Sequence, residues 1–152
     1  MTPGAVFSVT QGLTVGLGIL VGLVWSRRTG WGCGGLITPG LLALQASDPI
    51  RATLTLVLGM ALIPPLSLAA RAFRLWGRER VGAAMLIALT VRIGLMFLIP
   101  APLSAEFHPV GWVIPGLIAA DGERQGAGMT LCGTIVCTLV TAFGATLLRT
   151  ML

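Results

Sequence analysis

Ile37-Thr38-Pro39-Gly40-Leu41-Leu42-Ala43-Leu44 returns 76 residues later as Val113-Ile114-Pro115-Gly116-Leu117-Ile118-Ala119-Ala120. Pro39 aligns with Pro115, Gly40 with Gly116 and Ala43 with Ala119. Ahead of the two runs, Gly35 aligns with Gly111. The offset is half of the 152-residue chain, and each run lies between long apolar stretches. The chain reads as one membrane domain, 1–152, with an internal repeat of 1–76 and 77–152. Where a membrane chain is built from two halves, the Pro/Gly-interrupted segments at matching places are the best pointer to the working site.

The membrane assignment rests on composition. Hydrophobic residues make up 55% of the chain and charged residues 10%, against about 25% charged in soluble domains. So few polar groups leave a surface that must face lipid. The chain has no lysine; ten arginines oppose five acids, giving a net charge of +5. The arginines flank apolar segments, with no interleaved aromatic set on a polar surface. That pattern belongs to membrane topology and not to nucleic-acid binding. Cys33, Cys132 and Cys137 form no metal-ligand spacing and read as inert thiols in apolar or Gly-rich surroundings. The first apolar segment lacks a basic leader and a small-residue cleavage site, and is expected to be a retained span.

The expected fold is all-α, with about four transmembrane helices plus two Pro-Gly re-entrant or broken-helix segments. A helix needs about 20 residues to cross a hydrocarbon core of about 30 Å. Residues 5–25, 52–70, 81–99 and 127–148 meet that length. Pro64 and Pro65 should kink the second, and the third holds one charge, Arg92. Residues 36–44 and 112–120 are too short to span as single helices. Their irregular backbone must be buried in protein or line a wet cavity. Arg71, Arg74, Arg78 and Arg80 face only Glu79 between the second and third spans, so that loop is expected in the cytoplasm. Four spans put both termini there too, with the Pro-Gly elements entering from the outer face. Arg27 and Arg28 then fall outside, against the rule. If residues 31–45 form a full crossing instead, both arginines return inside and the first half has three crossings.

Four groups of residues are candidates for function. Helix breaks at Pro39-Gly40 and Pro115-Gly116 free backbone N–H groups that bind carboxylate or phosphate; tight helix packing is the competing role. Asp48 with Arg51, and Asp121, Glu123 and Arg124, follow the two elements at matching places, Asp48 aligning with Arg124. They pair, face a polar cavity, or are solvated at the interface. An arginine as deep as Arg92 rarely faces lipid, although snorkelling is the plainer reading. Arg71, Arg74, Arg78 and Arg80 set topology at an anionic membrane surface or dock an acidic partner. The sequence contains no P-loop, HExxH, nucleophile elbow or CxxC pair. The chain is therefore expected to be non-catalytic and to bind no cofactor or metal, with any activated chemistry on another subunit. A stand-alone transporter for a small anion or amino acid is the first alternative, and a purely structural anchor the second.

Three stretches resemble a known family. Arg28-Thr29-Gly30 followed by the run from Gly34 to Leu44 is similar to the first signature of PgsC/CapC, the small membrane subunit of the bacterial poly-γ-glutamate capsule synthase. Gly77-Arg78 and Ala83-Ala84-Met85-Leu86 resemble its central loop and next span. Gly111, the run from Val113 to Ala119, and Arg124-Gln125-Gly126 resemble its second signature. Arg27 and the acidic stretch Asp121-Gly122-Glu123 depart from the family pattern. The resemblance implies a multi-pass protein of the bacterial cytoplasmic membrane. Its implied partners are a Mur-ligase-like, ATP-dependent amide ligase and a membrane-anchored extracytoplasmic subunit. It also implies contact with the anionic polymer, through Arg28 and Gln125 among others.

Overall fold

The computed structural model describes residues 9–74, 77–98 and 113–151, and all regular structure among them is helical. Helix α1 (Val9–Thr29) leads through an irregular connector to the short α2 (Thr38–Leu44) and a 3₁₀ turn (Gln45–Ser47). There follow α3 (Pro49–Ala61), α4 (Ile63–Phe73), α5 (Arg78–Leu98), α6 (Val113–Gln125) and α7 (Ala127–Met151). Three segments are long and apolar enough to cross a bilayer: Val9–Thr29, Pro49–Phe73 and Ala127–Leu148. Their large side chains stay exposed, with Leu20, Val24, Leu68, Leu139 and Phe143 on the outside, as a lipid-facing surface requires. The expected span 81–99 lies in α5 as far as Leu98; Ile99 and the rest of that connector to Trp112 fall outside the described residues.

Proline sets the breaks. Pro39 lies in the first turn of α2, where its missing N–H costs nothing. Pro49 opens α3 in the same way. Pro64 and Pro65 cannot donate to the carbonyls one turn back, and the second apolar run divides at Leu62 into α3 and α4. The division is mild, because Leu62 donates to Leu58 O at 3.1 Å and Leu66 to Leu62 O at 3.2 Å. The second broken segment is longer than the nine residues expected. It continues through Asp121 to Gln125, and only Gly126 separates it from α7.

Helix α6 is the centre of the bundle. It packs against α3, α4, α5 and α7 and touches α2, and from Ile114 to Gly122 most of its side chains are buried. Its Ala119 and Ala120 meet Leu62 at the break, Leu66 of α4 and Ala84 and Ala88 of α5. Its Ile114 and Ile118 meet Leu42 of α2. Small residues admit this closeness where lipid supplies no hydrophobic drive between helices.

Each Pro-Gly element sits where its broken helix meets the long helix before it. A β-carbon on Gly40 would lie 2.8 Å from Val15 Cα, and one on Gly18 would run into the Gly40 backbone. A β-carbon on Gly116 would lie 3.3 Å from Ala84 O and 3.4 Å from Met85 Cα. Pro39, Gly40, Pro115 and Gly116 are all buried. Gly18→Ala should therefore cost about 1–3 kcal/mol, as overpacking does. Gly16→Ala, where a β-carbon meets nothing within 4 Å, should be neutral. Thermal unfolding of the detergent-solubilised protein checks the pair; equal midpoints would show that the α1–α2 contact yields freely.

Candidate functional site

Residues 30–37 leave α1 without regular structure, so their backbone groups need partners from elsewhere. Two side chains of α6 supply them. Gln125 and Asp121 stand four residues apart, on one face of the helix. Gly32 N–H donates to Gln125 Oε1 at 2.7 Å, and Gln125 Nε2 donates to Gly32 O at 2.7 Å and to Thr130 Oγ1 at 2.9 Å. A side-chain amide thus pairs in both directions with the N–H and C=O of one residue, as a neighbouring strand would. Gly35 N–H donates to Asp121 Oδ2 at 2.9 Å; a hydrogen bond to an ionised acceptor is roughly twice as strong as a neutral one.

The glycines of the connector are there for space and for dihedral angle. A β-carbon on Gly32 would collide with the Asp121 carboxylate, whose Cγ would stand 2.8 Å away. Gly34 has φ +74° and Gly35 φ +98°, in the left-handed region that favours glycine. Thr38 Oγ1 donates back to Gly34 O, and Cys33 Sγ to Gly35 O at 3.5 Å. The floor is α7, where Thr130 and Thr134 are fully buried and Thr134 Oγ1 donates to Thr130 O at 2.7 Å. Cys33 and Cys137 are buried free thiols.

A second polar contact lies on the same end of α6. Arg80 Nη1 of α5 stands 2.8 Å from Glu123 Oε2, and the two side chains are 27% and 15% exposed. This partly buried pair holds α5 to α6 more firmly than the exposed Asp48–Arg51 pair at 3.6 Å can hold anything.

The residues expected from sequence divide accordingly. Asp121 and Gln125 come together on the connector that begins just after Arg28. Asp48 and Arg51 pair with each other. Arg28, Arg71, Arg74 and Arg124 are exposed, and Arg92 is half-buried on α5. The side chain of Arg78 is outside the described residues, although its backbone opens α5. Pro39-Gly40 and Pro115-Gly116 lie at helix–helix contacts. Sequence reading missed Gly32, Thr130 and Thr134 as partners, and the Arg80–Glu123 pair. The one available signal was Gly32 in a Gly-rich run, which needs an outside partner wherever it is buried. Among the described residues no group of three or more His, Cys, Asp and Glu gathers as a metal site.

Gln125→Leu would orphan both polar groups of Gly32, at about 1–3 kcal/mol for each that is left unpaired. Peptides covering residues 30–37 should then exchange amide hydrogen faster, while Asp121→Asn, which keeps an acceptor, should do so less. Unchanged protection in Gln125→Leu would show that the clasp does not hold the connector.

The family model for Capsule biosynthesis CapC matches residues 17–131, which run from within α1 through the connector and the clasp to the start of α7. The PGA biosynthesis protein CapC of Bacillus subtilis (strain 168) is 31% identical over 123 residues, covering 79% of this chain and 83% of the relative. The Capsule biosynthesis protein CapC of Bacillus anthracis is 29% identical over the same shares. No solved structure matches the chain significantly.

Proposed function

The chain belongs to the CapC family of capsule biosynthesis proteins, and from that premise we propose that it is a non-catalytic, multi-pass subunit of a poly-γ-glutamate synthesis and export complex in the bacterial cytoplasmic membrane. It anchors the ATP-dependent, Mur-ligase-like subunit, works beside a membrane-anchored extracytoplasmic subunit, and contributes to the route of the anionic polymer. The observation that carries the reading is an identity of 31% extending over four-fifths of both chains, on a protein whose described body is helical and largely apolar outside. The named relative supplies the polymer, and the bundle supplies the membrane.

The non-catalytic role is supported by how the polar side chains are used. Gln125, Asp121, Glu123 and Arg80 are each engaged in holding backbone or one another. The similarity of the two halves is supported by packing: α1 with α2 and α5 with α6 each meet at a Pro-Gly element. On this reading α1, α3–α4, α5 and α7 are the four long spans, and the two broken segments, the connector with α2 and the segment holding α6, pass back between them. Arg92, half-buried on α5, serves the polymer or the broken helices.

Cells lacking the chain should lose polymer, and the wild-type gene should restore it. Arg71→Glu with Arg74→Glu should leave insertion intact and reduce co-purification of the ligase in mild detergent. Undiminished co-purification would remove ligase docking from this loop. Full polymer output without the chain would overturn the proposed function itself.

A further inference from the structure

The contacts fix which way each segment runs. From Cys33 and Leu36 to Gly40, the chain passes Gly22, then Gly18, then Val15 of α1. It therefore returns antiparallel to α1. From Val15 to Thr29 that is 14 helical residues, about 21 Å of rise, and α2 with its 3₁₀ turn continues beyond Gly40. Residues 30–47 thus cover most of a hydrocarbon core of about 30 Å, and α3 starts at the opposite end from the one where α1 stopped. Gly59 meets Ile118 and Gly122 meets Ile63, so α3–α4 runs parallel to α6. Gly116 meets Ala84 and Met85 while Glu123 meets Arg80, so α5 opposes α6. Trp25 meets Gly133 and Leu17 meets Gly144, so α7 opposes α1. The first half therefore runs toward, away from and again toward the end where Gln125 clasps Gly32. The second half runs away, toward and away. The two halves are opposite in direction.

This geometry brings arginines from three separate places to the clasp end: Arg27 and Arg28 finish α1, Arg71 and Arg74 finish α4, and Arg124 nearly finishes α6. All five are exposed. Of the acids described at that end, Asp121 is bound to Gly35 N–H and Glu123 to Arg80, which leaves Glu79 as the exposed one. At the other end Arg51 is matched by Asp48. An uncompensated cluster of arginine marks a cytoplasmic face, and the conflict over Arg27 and Arg28 disappears.

We propose that Arg27, Arg28 and Arg124 form one cytoplasm-facing surface that takes the carboxylates of the growing glutamate polymer, beside the Arg71 and Arg74 loop that docks the ligase. The inference rests on the reading of the chain as a subunit of the polymer complex. Arg124 argues against lipid headgroups as the occupant, because α6 lies at the centre of the bundle, packed by α3, α4, α5 and α7. A strip that runs from the end of α1 to the end of α6, next to the ligase-docking loop after α4, fits an extended polyanion, and guanidinium binds carboxylate in a two-pronged fork.

Two measurements test it. In a Cys132→Ser background, Arg28→Cys in intact spheroplasts should resist a membrane-impermeant maleimide, and Thr150→Cys should react. The full chain in nanodiscs of phosphatidylcholine alone should bind a fluorescent γ-linked glutamate oligomer in a salt-sensitive manner. Arg27→Gln with Arg28→Gln, or Arg124→Gln alone, should each weaken binding about fivefold, near the upper range of an exposed ion pair. Arg51→Gln should leave it unchanged. Labelling of Arg28→Cys from outside would overturn the proposal, as would equal affinity in all the variants or binding seen only with anionic lipid. If cells still need the chain for polymer while it binds no oligomer, the surface is refuted and the proposed function stands. If cells need no such chain, the proposed function fails as well.

Discussion

The fold depends on one constraint. Backbone that leaves the helix inside a membrane protein must find hydrogen-bond partners within the protein. Residues 30–37 leave the helix, and Gln125 and Asp121 provide the partners. Because both belong to α6, the connector can be placed only once the central helix is in position. The same end of α6 carries Glu123, which draws in Arg80 of α5. One turn and a half of helix thus ties the connector after α1 to the first turn of α5, and Gly126 passes the chain directly into α7.

Around this tie the packing is made by small residues. Gly18 against Gly40, and Gly116 against Ala84, bring helix axes close without large apolar side chains between them. The large side chains are left to face outward, as Leu139 and Phe143 do. This inverts the usual economy of a soluble core, where bulk goes inside. Pro39 shapes the first turn of α2, and the glycine of each pair seats its segment on the long helix before it.

Much of this was legible beforehand. Pro39 and the Pro64-Pro65 pair announced breaks that lie at or near those residues, because a missing N–H acts locally whatever the surroundings. Asp121 stood out as a charge after an apolar run, and Gln125 as part of the Arg124-Gln125-Gly126 signature. Their partners did not: Gly32 is 93 residues from Gln125, and Gly35 is 86 from Asp121. No periodicity or spacing in one chain reports a pairing at that separation. Arg80 and Glu123 were likewise read as a loop charge and an interface charge, and only their meeting at 2.8 Å makes them one contact.

The sequence by itself determined that this is an apolar helical protein, where its helices break, and which family it resembles. Those properties follow from composition, from proline and glycine chemistry, and from motifs contiguous in the chain. Only the tertiary structure decided what the connector after α1 does. An irregular stretch has no repeat from which its reach can be calculated, so residues 30–37 could turn back near the surface or travel along α1. The contacts of Gly22, Gly18 and Val15 show that the chain travels. Direction in space is a property of the partners a segment finds, and those partners lie in the other half of the chain.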